Sequence, residues 1–225
     1  MPLTITTRWS KIMMRIIKVL FVITVIGGVF AVHGGDMNVT GADRLPLSGA
    51  WQGAEQCTVL GGGDPTPASR LQIIIRDNEV FNAFGPQGRS NAMFAQSDPE
   101  IGLTTEQPDF IRSLQAANFL SADGKDLLDV LAAVLENRPA GITTYNLVPS
   151  DAVVRGRMFC HAGEKWCHFQ AVKRVTFAGQ VYEVEGGDLM QDYGDRMVRV
   201  GYAYDRIGCA PKVCVYVCEA NLKSE

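Results

Sequence analysis

The chain lacks the motifs that most directly identify enzyme chemistry. Its 225 residues contain no Gly-rich phosphate-binding loop, no Gly-x-Ser-x-Gly nucleophile elbow and no His-Glu-x-x-His metal motif. Only three histidines are present, which leaves few candidates for a general base. The sequence therefore holds no decisive catalytic signature, and these absences favour a non-enzymatic protein.

An apolar run long enough for an ordinary transmembrane helix is also missing. The uncharged apolar segment from Val19 to Val32 has 14 residues, whereas a spanning helix needs about 20. Basic residues precede it at Arg8, Lys11, Arg15 and Lys18. This pattern predicts a signal peptide over residues 1–31, cleaved after Ala31. A short uncleaved anchor in the inner membrane is the alternative, and residues 32–44 follow as a linker.

Acidic side chains slightly outnumber basic ones, 24 against 21, for a net charge of −3. Cleavage of the basic N-terminal segment would leave a more acidic mature chain. Such a surface repels phosphate backbones and anionic lipids, which argues against nucleic acid as a partner. The predicted partner is another protein or a small ligand outside the cytoplasm, with membrane contact only through an uncleaved N-terminal segment. No cofactor is implied.

Six cysteines in an exported chain predict three disulfides, because the compartment is oxidising and the count is even. In a strand that contains Cys214 and Cys218, the two sulfurs lie about 13 Å apart and cannot bond to each other. The Cys218 sulfur is then expected to tie the C-terminal strand to the first strand. The preferred pairs are Cys160–Cys167, Cys209–Cys214 and Cys57–Cys218.

The segment FCHAGEKWCHF, residues 159–169, repeats a Cys-His pair and predicts a β-hairpin. With a short loop between His161 and Trp166, these two residues face each other, as do Cys160 and Cys167. Directly opposed strand residues are close enough to form a disulfide after a small closure. Alternation then puts the sulfurs on one face of the hairpin, and the imidazoles with the aromatic rings on the other.

This separation of faces bears on two alternatives for the hairpin. A Cys-His dyad needs sulfur and imidazole within hydrogen-bond reach, and a zinc site of two Cys and two His needs all four side chains to converge. Neighbouring strand residues point to opposite faces, which disfavours both. The candidate binding residues are then His161, Trp166 and His168. A transition metal at His161 and His168, with a third ligand from elsewhere, stays open.

Two stretches of helical periodicity interrupt an otherwise β-rich sequence. Residues 105–138 contain apolar side chains at helical spacing, which predicts two amphipathic helices that end before Pro139. Alternating apolar and polar residues on both sides predict strands, including a hairpin around Asp77 and Asn78. The predicted fold is α+β, with a mainly antiparallel sheet, the two inserted helices and disulfide staples.

The folded part, residues 45–225, is predicted to be a single extracytoplasmic domain. It contains a β-rich part at 45–104, a helical part at 105–138 and a second β-rich part at 139–225. This order leaves open a division of the sheet into two β subdomains. The stretch from Pro86 to Gly102 is rich in turn-forming residues, which predicts a loop with at most one short strand.

The segment LSGAWQGAEQCTVL, residues 47–60, opens the folded part with Gly49, Trp51 and Gly53 in a strand-like run. It resembles the Gly-x-Trp first strand of lipocalins and other small extracytoplasmic β-barrels. The resemblance is confined to this segment. It implies that Trp51 buries its large ring at a closed end of the sheet.

An acidic stretch, residues 182–196, contains the residues on which an alternative function could depend. Glu183 and Glu185 share one face of a strand, as a carboxylate pair for acid–base catalysis would. The remaining acidic residues could chelate calcium from a Gly-containing loop, although their spacing is not that of an EF-hand. These residues are Asp188, Asp192 and Asp195. A solvated strand edge in an acidic protein accounts for the same residues without a function.

The sequence thus predicts an exported, disulfide-stabilised, non-enzymatic binding or interaction protein, periplasmic or secreted. An inhibitor or immunity-type role falls within this prediction. The alternative is an envelope hydrolase that uses the acidic residues between Glu183 and Asp195, with metal assistance at His161 and His168.

Overall fold

The computed structural model describes residues 44–84, 89–98, 107–137, 139–177, 179–205 and 212–225. Side chains are described in these ranges except at 81–84, 89–92 and 175–177. The predicted signal peptide, most of the predicted linker and Cys209 lie outside the described residues. The chain divides into two compact units. Val175–Tyr182 belongs to the first, and Asn38–Arg174 with Glu183–Glu225 forms the second.

The described residues form ten strands and two helices. The strands are β1 Gly49–Val59, β2 Ser69–Arg76, β3 Glu79–Phe84, β4 Arg89–Ser97, β5 Ile142–Leu147, β6 Val153–His161, β7 Trp166–Phe177, β8 Gln180–Asp192, β9 Arg196–Asp205 and β10 Cys214–Ser224. The helices are α1 Pro108–Leu114 and α2 Ala122–Asn137. The predicted α+β class, with two helices inserted into a mainly antiparallel β structure, is confirmed.

The strands close into a barrel in which each strand lies beside its neighbours in sequence, and β10 returns to pair with β1. The pairings whose register is described are all antiparallel. Strands from before and after the helices therefore belong to one barrel, joined at the β4–β5 and β1–β10 pairs. Closure was not predicted, because local alternation reveals the faces of a strand but not its partners.

Apolar side chains at alternate positions fill one end of the barrel. Trp51 in β1 is only 4% exposed and packs with Ile73, Met197 and Leu222 from the neighbouring strands. Leu45 and other residues from the segment before β1 join this core. Burial of the Trp51 ring agrees with what the Gly-x-Trp resemblance implies.

The two helices pack on the outside of the barrel. The apolar face of α2, which includes Leu127 and Leu131, forms one buried cluster with Val198 and Val200 of β9 and Val217 of β10. Strand β9 is therefore covered on both faces, which explains its nearly continuous apolar sequence. Among the described residues, no helix has the length and apolar character required to cross a membrane.

Most of the hairpin turns lie where turn-forming residues in the sequence predict them. The β2–β3 turn lies at Asp77, whose φ is +53°, and Gly179 lies in the β7–β8 turn with φ of +78°. The stretch from Pro86 to Gly102 is the exception, since β4 covers nine of its residues. Pairing with β3 on one side and β5 on the other makes this weakly alternating segment a strand.

Candidate functional site

The Cys-His hairpin has the predicted geometry. Strands β6 and β7 pair with Cys160 opposite Cys167, His161 opposite Trp166 and Phe159 opposite His168. Cys160 and Cys167 form a disulfide with their Cα atoms 4.1 Å apart. Both cysteines belong to the core inside the barrel, so the imidazoles and the aromatic rings lie on the outer face.

Most of that outer face is covered. Trp166 and His168 are fully buried, with Trp166 in the cluster that the helices form on β9 and β10. The His168 ring stacks on Phe159 and on Tyr202, at centroid distances of 6.3 and 6.4 Å. Burial lowers the pKa of His168 from 6.5 to about 3, so the imidazole is neutral at physiological pH.

His161 is the member of the predicted binding set that reaches solvent. Its ring is half-buried and stacks on Trp166 at 6.0 Å, and its Nδ1 accepts a hydrogen bond from the Glu164 backbone N–H. The structure thus brings the three predicted residues together, but it places two of them beneath the helical layer. Trp166 donates its indole N–H to the Glu164 carboxylate at 2.9 Å.

The metal alternative has little support among the described side chains. Within them, Glu55, Cys57 and Cys218 are the one group of three or more His, Cys or acidic residues whose ligand atoms converge. Cys57 and Cys218 form a disulfide, so their sulfurs are not thiolate ligands. His161 and His168 do not belong to a converging group of three in this part of the chain.

The Cys57–Cys218 disulfide confirms the second predicted pair. It joins two directly opposed residues of β1 and β10, with Cα atoms 4.0 Å apart. Cys214 is also disulfide-bonded, but its predicted partner Cys209 lies outside the described residues. The third pairing therefore stays a prediction.

The acidic stretch of β8 is divided between two environments. Glu183 and Glu185 are both exposed at alternate positions of β8, and so share one face of a strand as the sequence predicts. Asp188 instead points into the barrel and is only 3% exposed. Asp192 and Asp195 lie near the β8–β9 turn, where Asp195 pairs with Arg196. The three aspartates that could have chelated calcium together are thus not gathered into one loop.

Asp188 belongs to a network of charges inside the barrel that the sequence did not reveal. Arg199 of β9 forms ion pairs with Asp188 and with Glu55 of β1, and all three are less than 10% exposed. Lys173 of β7 adds a second cation, with its Nζ 4.0 Å from an Asp188 oxygen and 5.0 Å from the centroid of the Phe169 ring. Two positive and two negative side chains therefore balance.

Gly201 of β9 leaves space for this network because it has no side chain. A Cβ on Gly201, the residue opposite Cys218 and Asp188, would lie 3.0 Å from a guanidinium nitrogen of Arg199 and in contact with the Asp188 carboxylate. Close approach of the ion pair to the β9 backbone therefore requires glycine at this position.

Burial and charge act in opposite directions on the two cations. Burial alone lowers the pKa of Arg199, but Asp188 and Glu55 more than offset it, and the net pKa is raised. For Lys173 burial prevails and lowers the pKa, although the Asp188 carboxylate opposes that shift. Lys173 has the weaker partner of the two, and its side chain stays 29% exposed.

The charge network lies between a fully buried end of the barrel interior and a half-buried end. At the Trp51 end the inward-facing side chains are fully buried. Toward the end where β9 stops and β10 starts, the inward-facing residues become half-buried, among them Val184, Gly186, Ala203, Tyr216 and Cys218. The Lys173 ammonium, 4.0 Å from an Asp188 oxygen, therefore belongs to the network between the fully buried end and the half-buried end of the interior.

Sequence reasoning missed this site because its members are far apart in the chain. Glu55 shares its strand face with Trp51 and Cys57, so an acid in an apolar row was a signal that could have been noticed. Arg199 gave no such signal, because β9 is buried on both faces and its pattern does not tell inside from outside. Only the barrel brings β1, β7, β8 and β9 around one axis.

Comparisons of this chain with protein families, with curated proteins and with solved structures find no match. What the site can do therefore follows from its own side chains. Arg199 is saturated by two carboxylates, whereas the described residues provide no hydrogen-bond acceptor for the Lys173 ammonium. The group that is available to a ligand is the Lys173 ammonium, a donor for an acidic group.

Proposed function

We propose that this protein is an extracytoplasmic, non-enzymatic binding protein that takes a small ligand with an acidic group at the polar end of its barrel. Its disulfides support an oxidising compartment, because such bonds are rare in the cytosol. The observation that carries the ligand site is the Lys173 side chain, which is 29% exposed although its ammonium lies beside a buried charge network.

The surroundings of Lys173 favour a ligand that is acidic at one end and apolar behind it. Phe169 lies under the ammonium, and Ala203 and Tyr216 are half-buried toward the more exposed end of the interior. Arg199 neutralises Asp188, so this carboxylate repels an incoming anion less than its formal charge suggests. A monocarboxylate with a short apolar tail matches these features.

The hydrolase alternative gains no specific observation. Glu183 and Glu185 are exposed on a strand face, and neither belongs to a converging group of possible metal ligands among the described residues. His168 is fully buried. A binding role for an accessible charged group remains the better account of the geometry.

The binding site is tested with a series of straight-chain monocarboxylates, from acetate to decanoate, in thermal unfolding of the oxidised protein. Acids that fill the polar end are expected to raise Tm, since a ligand that binds only the folded state stabilises it. Lys173→Met should abolish the rise. Lys223→Met, an exposed lysine on the outer face of β10, should leave it unchanged.

A rise in Tm that persists in Lys173→Met would contradict the site, as would hydrolytic turnover that disappears when Glu183 or Glu185 is changed to Gln. The compartment is tested separately. We expect the exported protein to begin after Ala31 on N-terminal sequencing and to carry no reactive thiols. Accumulation of a reduced protein in the cytoplasm would refute the proposed location.

A further inference from the structure

A second candidate site lies on the outside of the barrel, across strands β5 to β8. It is a cleft of about 340 Å³, at the lower end of the range that holds small molecules. Its polar side chains come from four neighbouring strands. They are Asn146, Arg155, Arg157, Gln170 and Glu185.

A β-bulge builds the basic wall of this cleft. Val153 pairs with Lys173 and Arg155 with Val172, so one extra residue of β6 is inserted between them. Without the bulge, Val153 and Arg155 would share a face, because side chains alternate. With it, Val153 enters the core while Arg155 joins Arg157 outside, where both are exposed.

The charges of the cleft are unsatisfied. Among the described residues, neither Arg155 nor Arg157 has a carboxylate or other acceptor, and Glu185 has no cationic partner. The two arginine Cα atoms are about 7 Å apart along β6, and Glu185 is two strands away, about 10 Å across the cleft. Among the described residues no ion pair joins Glu185 to either guanidinium, so the cleft offers two donors for anions and one acceptor for a cation.

We infer that this cleft binds a short acidic peptide with a free amino terminus. The planar guanidinium groups of Arg155 and Arg157 match carboxylates in bidentate geometry. Glu185 on the opposite wall accepts hydrogen bonds from the peptide ammonium. Asn146 and Gln170 flank Arg157 at the same level of the sheet, and the Asn146 amide already donates a hydrogen bond to the Asp98 carboxylate at 2.7 Å.

This inference is independent of the site inside the barrel. Arg155, Arg157 and Glu185 lie on the outer face, whereas Lys173 lies on the inner one. Changes in the cleft should therefore leave the response to monocarboxylates intact, and the failure of either proposal leaves the other standing.

The test is calorimetric titration of the oxidised protein with the dipeptide Glu-Glu at low ionic strength. Arg155→Gln and Arg157→Gln are each expected to weaken binding about tenfold, the loss expected for one hydrogen-bonded charge. Arg76→Gln, at an exposed arginine in β2, is the matched control and should bind as the unmodified protein does. Arg155→Lys should bind less tightly, because an ammonium cannot make the bidentate contact.

The role of Glu185 is tested by blocking the peptide's amino group. N-acetyl-Glu-Glu should bind the unmodified protein several-fold more weakly than Glu-Glu does, whereas Glu185→Gln should no longer distinguish the two peptides. Equal affinity for Gln-Gln and Glu-Glu, or arginine variants that bind Glu-Glu normally, would overturn the inference. All three residues are exposed, so their variants should fold as the unmodified protein does, and the far-UV spectrum checks this.

Discussion

Arg199 illustrates how a single buried charge depends on its neighbours. Its guanidinium lies inside the barrel between Glu55 and Asp188, and all three side chains are nearly inaccessible. Burial of an ion is costly unless a partner compensates it. Replacement of one member of this network would therefore leave buried charges without a partner in a low-dielectric interior.

Arg199→Met is expected to lower the free energy of unfolding by about 3–5 kcal/mol, because two buried carboxylates lose their cation. Urea unfolding measures this loss. Arg112→Met is the control, since Arg112 pairs with Glu136 on the surface and such exposed pairs contribute little to stability. Equal losses in the two variants would show that the network is not buried as described.

His168 predicts a pH dependence of stability. Burial lowers its pKa in the folded protein from 6.5 to about 3, so between these values the unfolded chain binds a proton that the folded chain does not. The contribution of neutral His168 is therefore fully present above pH 6.5 and is lost as pH falls through this window. The loss is up to about 1.4 kcal/mol per pH unit.

Urea unfolding at about pH 7 and about pH 5 tests this dependence. His168→Phe keeps an aromatic ring between Phe159 and Tyr202 and should reduce the change in unfolding free energy between the two pH values. An unchanged pH dependence in this variant would place the responsible group elsewhere.

At the scale of elements, one carboxylate docks α2 on the barrel. Glu219 of β10 accepts hydrogen bonds from the backbone N–H of Ser121, at 2.7 Å, and from the Ser121 hydroxyl. The hydroxyl oxygen in turn accepts from the Gly124 N–H at 3.1 Å, as an N-cap does. A negative group at this helix end also matches the helix dipole.

Glu219→Gln is expected to lower the free energy of unfolding by about 1–2 kcal/mol, because a charged acceptor at the helix start is replaced by a neutral one. Hydrogen exchange of the first turn of α2 should accelerate. Glu136→Gln removes a surface partner of Arg112 instead, and it should leave the exchange of that turn unchanged. Similar effects of both substitutions would contradict the docking role.

Elements were predictable where a local pattern is strong. The helices have apolar side chains at helical spacing, and the β6–β7 hairpin has a symmetric Cys-His repeat with its register set by the loop. The strand β4 was not predictable, since its weak alternation acquires strand geometry from β3 and β5. The β6 bulge was likewise invisible, because the same letters fit regular alternation.

At the scale of the whole molecule, the Cys57–Cys218 disulfide holds the two strands that close the barrel. Its cysteines are 161 residues apart, against 7 for Cys160–Cys167. On the chain-entropy model the long loop contributes about 5 kcal/mol and the short loop about 2–3 kcal/mol. Replacement of both cysteines of a pair by Ser should therefore destabilise the protein more at the barrel seam.

Urea unfolding of the two double variants measures this difference. The variant without Cys57–Cys218 should also show faster hydrogen exchange in β1 and β10, since no covalent bond then holds these strands together. A larger loss from the Cys160–Cys167 variant would indicate that loop length does not govern the contribution of these disulfides.

The sequence by itself determined the local features of this protein. Alternation and helical spacing predicted most of the strands, the two helices and the faces of the β6–β7 hairpin, because each depends on residues close together. The even count of cysteines predicted that they form disulfides, because this depends on the chemistry of the residue type. The closed barrel, the burial of His168 and Trp166 beneath the helices, and the meeting of Glu55, Lys173, Asp188 and Arg199 were decided by the tertiary structure. The physical reason is that partner choice between distant strands depends on the summed packing of the whole barrel, which no short segment specifies.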